Sequence, residues 1–487
     1  MKKRLFLSFL ASTLLFAACD ISFSFPDYIP GNQGVPNNTE RTFWAQDVRN
    51  DSFYTLKAVQ LAIGEYCTVW GETGNNRATP DVARTMAAAY DTDVYPKMKA
   101  VFGIENIEYE GYNYRDTMVL ADYFGDEDGK LCILLLDIRD GFNSNTGGGF
   151  VAGYFAWIDF LSNSNPDLIR YNLKSNERDM IYVDTYPSTP GSAVSNETLA
   201  HELQHLMNFV HDNVLRNTLT DTWLTEGLSA AAEWVYNGYY DTDRINRFNS
   251  PPAASKISTG NNFFAWNQYD DMNTNLDDYA TVYLFFQWLR LQSGGSTNVY
   301  RSISRSSHSD YNAIVGAMNG YDEWAALLKT WLAANYINAS AGPYGYMNDD
   351  TLKTIRAKTA PSGTRNVNLY PGEGVYSVTN TGFNMPSNSG NIRYAGLNRS
   401  SGDVSDTAVF ASGALLTYNV DTNSGGRAQA GTTTGVAASV EEVPESLSVR
   451  TALSGPYKVS MSDMLRHNGY EVHSPAFLRL HPGDNDN

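Results

Sequence analysis

Leu199-Ala200-His201-Glu202-Leu203-Gln204-His205-Leu206-Met207-Asn208 is the run on which the architecture turns. An α-helix advances about 100° per residue. Wound that way, Leu199, Leu203, Leu206, Met207 and Val210 form one apolar stripe, and His201 and His205 lie opposite it. The stripe packs on a core while both imidazoles meet in a cleft. They stand one turn apart, the HExxH spacing at which two histidines hold one Zn²⁺. Glu202 lies beside the pair, where a carboxylate reaches a water at the metal. The plainer alternative is a surface helix whose polar side carries two histidines.

A catalytic zinc needs a third protein ligand and an open position. His211 completes HExxHxxNxxH, but Asn208 stands where a glycine would let the backbone turn sharply. The apolar period runs on to Val210, so a continuing helix points His211 away from the pair. Glu226, in Trp223-Leu224-Thr225-Glu226-Gly227-Leu228-Ser229, follows His205 by 21 residues. That is room for the first helix to end, a loop to reverse and a second helix to return antiparallel. There Leu228, Ala231, Ala232 and Val235 make the apolar stripe, and Glu226 and Glu233 share the opposite side. Glu226 is the favoured third ligand over His211, and Glu233 is placed to hydrogen-bond a ligand imidazole.

The sequence resembles the gluzincin metallopeptidases, whose signature is HExxH plus a downstream WLxEG-type helix. Within them it looks most like the hyicolysin-like secreted peptidases. The features are LAHELQHLMNF, WLTEGLSAAAE, the aromatic YATVYLFFQWL (279–289) and WLAANYI (331–337). The resemblance covers roughly 45–340 and is specific around 196–234. It implies a zinc-dependent endopeptidase with His201, His205 and Glu226 as ligands and Glu202 as the catalytic carboxylate. It also implies an edge strand upstream of HExxH that pairs with extended peptide; Phe150 to Ile158, after Gly147-Gly148-Gly149, fits that position. A GxMxN-like motif, which aminopeptidases of the group carry before HExxH, occurs only downstream at Gly316-Ala317-Met318-Asn319, which favours endopeptidase action. The oxyanion needs stabilisation beyond zinc. Tyr279 and Tyr283 are candidates; the alternative is that both are core aromatics.

Outward from this centre, Lys130 to Ile138 is a nearly continuous apolar run, as a strand buried on both faces shows. Met180 to Val183 reads as another strand, and Met86 to Phe102 as a helix interrupted by Pro96. Helical period returns at Val282, Phe285, Phe286 and Leu289, and again at Trp324, Leu327, Leu328, Trp331 and Leu332. From about Gly342, Gly, Ser, Thr and Asn rise and short alternating runs appear, such as Leu416 to Val420. The expected fold class is α+β: a zincin-type unit with a mixed sheet and edge strand, a helical subdomain, then a C-terminal all-β domain. The expected boundaries are a leader 1–18, a tether 19–42, a catalytic domain 43–340 and a β-rich domain 341–487. Asp126-Glu127-Asp128-Gly129 reads as a solvated turn rather than a Ca²⁺ loop. His308, His467, His473 and His481 lack ligand spacing.

Lys2, Lys3 and Arg4, an apolar run to Phe16 and then Ala17-Ala18-Cys19 make a charged, an apolar and a small-residue region. Cys19 after two alanines resembles a bacterial lipobox, which implies lipid on Cys19 and a cell-envelope location; an ordinary secretory leader is the alternative. Cys67 and Cys132, each in a strand-like run, either pair or remain buried thiols. Over 487 residues, a net charge of -18 argues against nucleic acid as partner, and 13% aromatic residues exclude wholesale disorder. The expected partners are a peptide substrate, and a membrane only through the lipid. The competing expectation is a surface-binding lipoprotein that keeps the metallopeptidase fold with marginal activity.

Overall fold

The computed structural model describes residues 39–50, 52–103, 130–145, 149–216, 218–251, 255, 257, 263–264, 272–362, 368–422, 428–429 and 477–480. The expected leader, Cys19, the 126–129 turn, Gly147, Gly148, His467, His473 and His481 lie outside the described residues.

The N-terminal half builds a seven-stranded mixed sheet. Its strands are β1 (Glu40–Asp47), β2 (Ser52–Ile63), β3 (Cys67–Glu72), β4 (Leu131–Leu136), β5 (Gly149–Phe155), β6 (Met180–Asp184) and, from the far end of the chain, β16 (Phe477–Leu480). The order is β1-β2-β3-β4-β6-β5-β16. β3, β4 and β6 run parallel, and the outer pairs are antiparallel. β4 is buried on both faces, as its unbroken apolar run requires. Cys67 and Cys132 are buried free thiols on β3 and β4. β1 begins at Glu40, inside the segment expected to be tether.

The Met86 to Phe102 stretch is helical from Pro80 onward: α1 (Pro80–Ala89), a π-helical turn (Tyr90–Val94) and α2 (Tyr95–Phe102). Pro96 does not interrupt it. It falls in the first turn of α2, where a missing N–H costs little, and the π-turn absorbs the change of register.

After the short α3 (Pro166–Tyr171), the helices are α4 (Ala193–Asn208), α5 (Thr222–Asn237), α6 (Thr242–Asn249), α7 (Met272–Gln292), α8 (Asn298–Ser304), α9 (Tyr311–Ala317) and α10 (Trp324–Ile337). The apolar period of α7 suggests one buried side, yet Asp277 to Arg290 are buried all round, because neighbouring helices enclose α7. Gly227 makes part of that enclosure close: a Cβ there would stand 2.0 Å from the Phe286 ring. No helix among the described residues is long and apolar enough to cross a membrane.

The C-terminal region is mostly β. It comprises β7 (Thr359–Ala360), β8 (Asn368–Leu369), β9 (Gly374–Val378), β10 (Phe383–Asn384), β11 (Ile392–Asn398), β12 (Asp403–Ser405), β13 (Ala408–Val409), β14 (Ala414–Asn419) and β15 (Ala428–Gln429). Five of these form the sheet β12-β11-β14-β9-β7. Leu416 to Val420 reads as one apolar and one polar face, but β14 is buried on both. One face joins the main core through Ala414, Leu416 and Tyr418, and Leu415 on the other joins a smaller cluster with Val375, Ile392 and Tyr394. The Tyr376 hydroxyl donates to the Leu332 carbonyl of α10 at 2.8 Å, so this sheet and the helices share one apolar core.

Candidate metal centre

α4 and α5 pack as an antiparallel pair, and polar clasps fix their register. Asn237 Nδ2 donates to Glu197 Oε1 at 2.7 Å, Ser229 Oγ to Gln204 Oε1 at 2.6 Å and Asn208 Nδ2 to Thr220 Oγ1 at 3.2 Å. α4 starts at Ser192, whose hydroxyl caps the Ser195 N–H. α5 stops at Gly238, which takes the left-handed conformation with φ 71°. Both helices are buried nearly throughout, so the side expected to line an open cleft is also enclosed.

The register brings His201, His205 and Glu226 together. His201 Nε2 and His205 Nε2 are 3.1 Å apart, and the Glu226 oxygens lie 3.5 Å from the first and 3.4 Å from the second. A tetrahedral ion with ligand bonds near 2.0–2.1 Å separates its ligand atoms by about 3.3–3.4 Å. These separations, each imidazole facing its own Glu226 oxygen, are therefore of the size a zinc ion needs, and two imidazoles with one carboxylate fit it in chemistry. His211 lies outside the cluster: a second π-helical turn (Phe209–Leu215) continues α4, and His211 Nδ1 pairs with Asp212 Oδ1 at 2.8 Å.

Surrounding side chains engage the Nδ1 atom of each imidazole. His201 Nδ1 meets Glu233 Oε1 at 2.7 Å, and His205 Nδ1 meets Thr225 Oγ1 at 3.1 Å. The Glu233 carboxylate accepts from His201 Nδ1, which leaves the His201 Nε2 lone pair for a metal. Glu233 Oε1 also accepts from Arg244 Nη2 at 2.7 Å, and the Arg244 guanidinium lies between the Tyr279 and Tyr283 rings, 5.4 Å and 5.3 Å from their centroids. The Tyr283 hydroxyl accepts the Asp241 N–H at 2.9 Å, which makes it part of this support. The Tyr279 ring lies 6.3 Å from that of His201, so Tyr279 is the tyrosine at the metal cluster.

Several titratable groups are buried together here. Burial lifts the Glu202 carboxyl to about 8, with the His201 charge opposing and the Glu226 charge reinforcing. For Glu226 burial again works upward, but both imidazoles outweigh it and hold the group at about 2. For His201 burial works downward, and Glu226 and Glu233 overcome it to reach about 9. Burial and the nearby Glu226 and Glu202 charges raise the Tyr279 phenol well above its ordinary value, so it stays a hydrogen-bond donor. The Glu226 carboxylate, held ionised against the two imidazoles, supplies the negative charge that favours a dication.

β5 lies against α4 beside Glu202. A Cβ on Gly153 would come within 2.8 Å of Thr198 Cγ2 and 3.6 Å of Glu202 Cγ, so only glycine lets the strand approach this closely. Phe150 and Ala152 pack with Tyr279. The strand expected over Phe150 to Ile158 ends at Phe155, before a 3₁₀ turn at Trp157–Phe160, and its outer edge is taken by β16.

Thr225 and Arg244 escape sequence reading. Thr225 has a local signal, since it precedes Glu226 on the same helix. Arg244 has none, because the turn at Asp241 that returns it to Glu233 is a tertiary feature.

A mixed sheet, a helical subdomain carrying HxxxH with a downstream glutamate, and a mostly-β C-terminal region define an α+β protein with a buried His-His-Glu site of gluzincin type. No protein-family model matches the chain. Over 292 residues it is 27% identical to the neutral metalloprotease ShpI of Staphylococcus hyicus. The match covers 58% of this chain and 58% of that relative.

Proposed function

We propose that the chain is a zinc-dependent endopeptidase. The observation that carries this is the donor triangle of His201, His205 and Glu226, matched in size and type to zinc, with Glu202 beside it. Similarity to a neutral metalloprotease supports the same reading.

Zinc, when bound, supplies Lewis-acid polarisation and lowers the pKa of water toward ~7. The protein's own groups do the rest. Glu202 takes a proton from the attacking water and delivers it to the leaving amide nitrogen. The Tyr279 hydroxyl donates to the oxygen on which charge develops. Glu233 holds His201 in the metal-binding tautomer, Thr225 orients the His205 ring, and Arg244 holds Glu233. Tyr283 frames Arg244 from one turn away. An extended substrate adds its backbone along β5, which passes Glu202 at Gly153.

The test is metal analysis with product mapping by mass spectrometry. One zinc per chain, internal cleavage of a quenched peptide, and loss of cleavage with chelator are expected. One zinc with no turnover on a broad peptide library favours the binding-lipoprotein reading instead.

The pattern Lys2 to Cys19 supports a lipid anchor and a cell-envelope location as part of this proposal. Mass spectrometry of the mature N-terminus tests it; lipid on Cys19, and release by Cys19→Ala, are expected. We place the boundary between the catalytic unit and the β-rich domain near residue 341, as a change of architecture within a shared core.

A further inference from the structure

The sheet's outermost strand is drawn from the other end of the chain. β16 pairs antiparallel with β5: Phe477 opposite Gly153, Leu478 opposite Val151, Arg479 opposite Phe150 and Leu480 opposite Gly149. The register slips between Phe477 and Leu478, so Ala152 of β5 is a bulge residue. β16 also packs against α4 and α7, the helices that carry Glu202 and Tyr279. It therefore lies along the edge of β5 and passes the metal cluster where Gly153 stands over Glu202.

A second observation points the same way. Glu202, His201 and Glu226 are 0% exposed, and His205 and Tyr279 are 2% exposed. Groups that must meet a peptide bond are closed off in the form of the chain in which β16 is paired. A strand that binds extended peptide by backbone hydrogen bonds offers the same donors and acceptors to any extended segment, and a segment of the same chain competes intramolecularly.

We propose that residues 477–480 are an intramolecular occupant of the substrate strand: the C-terminal segment sits on β5 in place of substrate and holds the enzyme in a closed, competitively inhibited form. This rests on the peptidase reading above. Opening requires that the four-residue ladder separate from β5 and from its contacts with α4 and α7, leaving β4 and β6 paired.

Hydrogen exchange on the full wild-type chain tests the occupancy without turnover. Amides of 477–480 are expected to exchange by local opening, well ahead of those of β4. Exchange of 477–480 only at the rate of β4 would make β16 a permanent strand and overturn the proposal. The second arm is the full-length double variant Leu478→Pro/Arg479→Pro. Adjacent prolines remove whichever amide faces β5, since amides alternate along a strand. With circular dichroism and zinc content unchanged, KM for a quenched peptide is expected to fall about tenfold or more while kcat holds. A synthetic peptide of residues 474–484 should bind this variant, raise its KM again and leave the wild type unaffected. An unchanged KM, or a peptide that fails to bind the variant, refutes the inference. Because exchange is read without turnover, it decides the occupancy even in a chain that cleaves nothing, an outcome that would sink the peptidase reading alone.

Discussion

α4 from Ser195 onward and β14 are both withdrawn from water, yet they differ in what makes their burial tolerable. β14 closes Ala414 to Asn419 largely with apolar neighbours, and its Asn419 amide finds the Leu369 carbonyl at 3.0 Å. α4 buries His201, Glu202, Gln204 and His205 in succession. There the cost of desolvation is met for His201 by Glu233, for His205 by Thr225 and for the Gln204 side-chain oxygen by Ser229. The difference teaches that apolar burial in the C-terminal sheet serves stability, whereas polar burial in α4 serves a site whose remaining partner is the metal.

Glu202→Gln should break the site side of this comparison most sharply. It keeps size and burial but removes the base, so kcat should fall about 10²- to 10⁴-fold. Zinc content and melting temperature should hold. Turnover close to wild type would remove Glu202 from the chemistry. On the other side, Leu416→Ala should cost about 2–5 kcal/mol in denaturant unfolding, with zinc stoichiometry and kcat of the folded fraction unchanged. A parallel loss of zinc affinity would show that the shared core couples the two regions.

Glu233→Gln sharpens the question of partnering. It weakens the anchor on His201 Nδ1 and takes one carboxylate partner from Arg244, leaving it Asp241, so zinc affinity should fall about 10- to 100-fold in competition with a chelating dye. An unchanged affinity would reduce the chain from Arg244 to His201 to scaffolding.

The smallest effect concerns a buried carboxylate outside both regions. Burial raises Asp159 to about 7, against hydrogen bonds from Tyr182 and Asn176 that pull it downward. A carboxyl raised on folding adds stability that is complete below its unfolded pKa and is lost as pH rises through the folded one. This group should therefore withdraw about 1 kcal/mol between pH 6 and pH 8. Asp159→Asn should flatten that part of the stability-pH curve; an unchanged curve would mean that the hydrogen bonds already hold Asp159 ionised.

Much of the centre is legible locally. The positions of His201, Glu202 and His205 follow from helical period, and those of Glu226 and Glu233 from one further turn-and-return. Placement across elements is less legible. Periodicity marks α7 and β14 as one-sided, because it registers the strongest apolar stripe and cannot register neighbours that cover the other side. Pro96 reads as an interruption, because proline's position relative to a helix start depends on the π-turn before it.

The sequence alone determined the ligand types, their spacing on two helices, the buried strand β4 and the change to β structure late in the chain, since these depend on contacts a few residues apart. Only the tertiary structure decided the order β4-β6-β5, the return of Arg244 to Glu233 and the seating of residues 477–480 on β5. The strand pairings join segments up to several hundred residues apart and rest on backbone donors and acceptors that every residue but proline supplies alike, and the side-chain contact of Arg244 depends on the turn at Asp241, so no local pattern announces them.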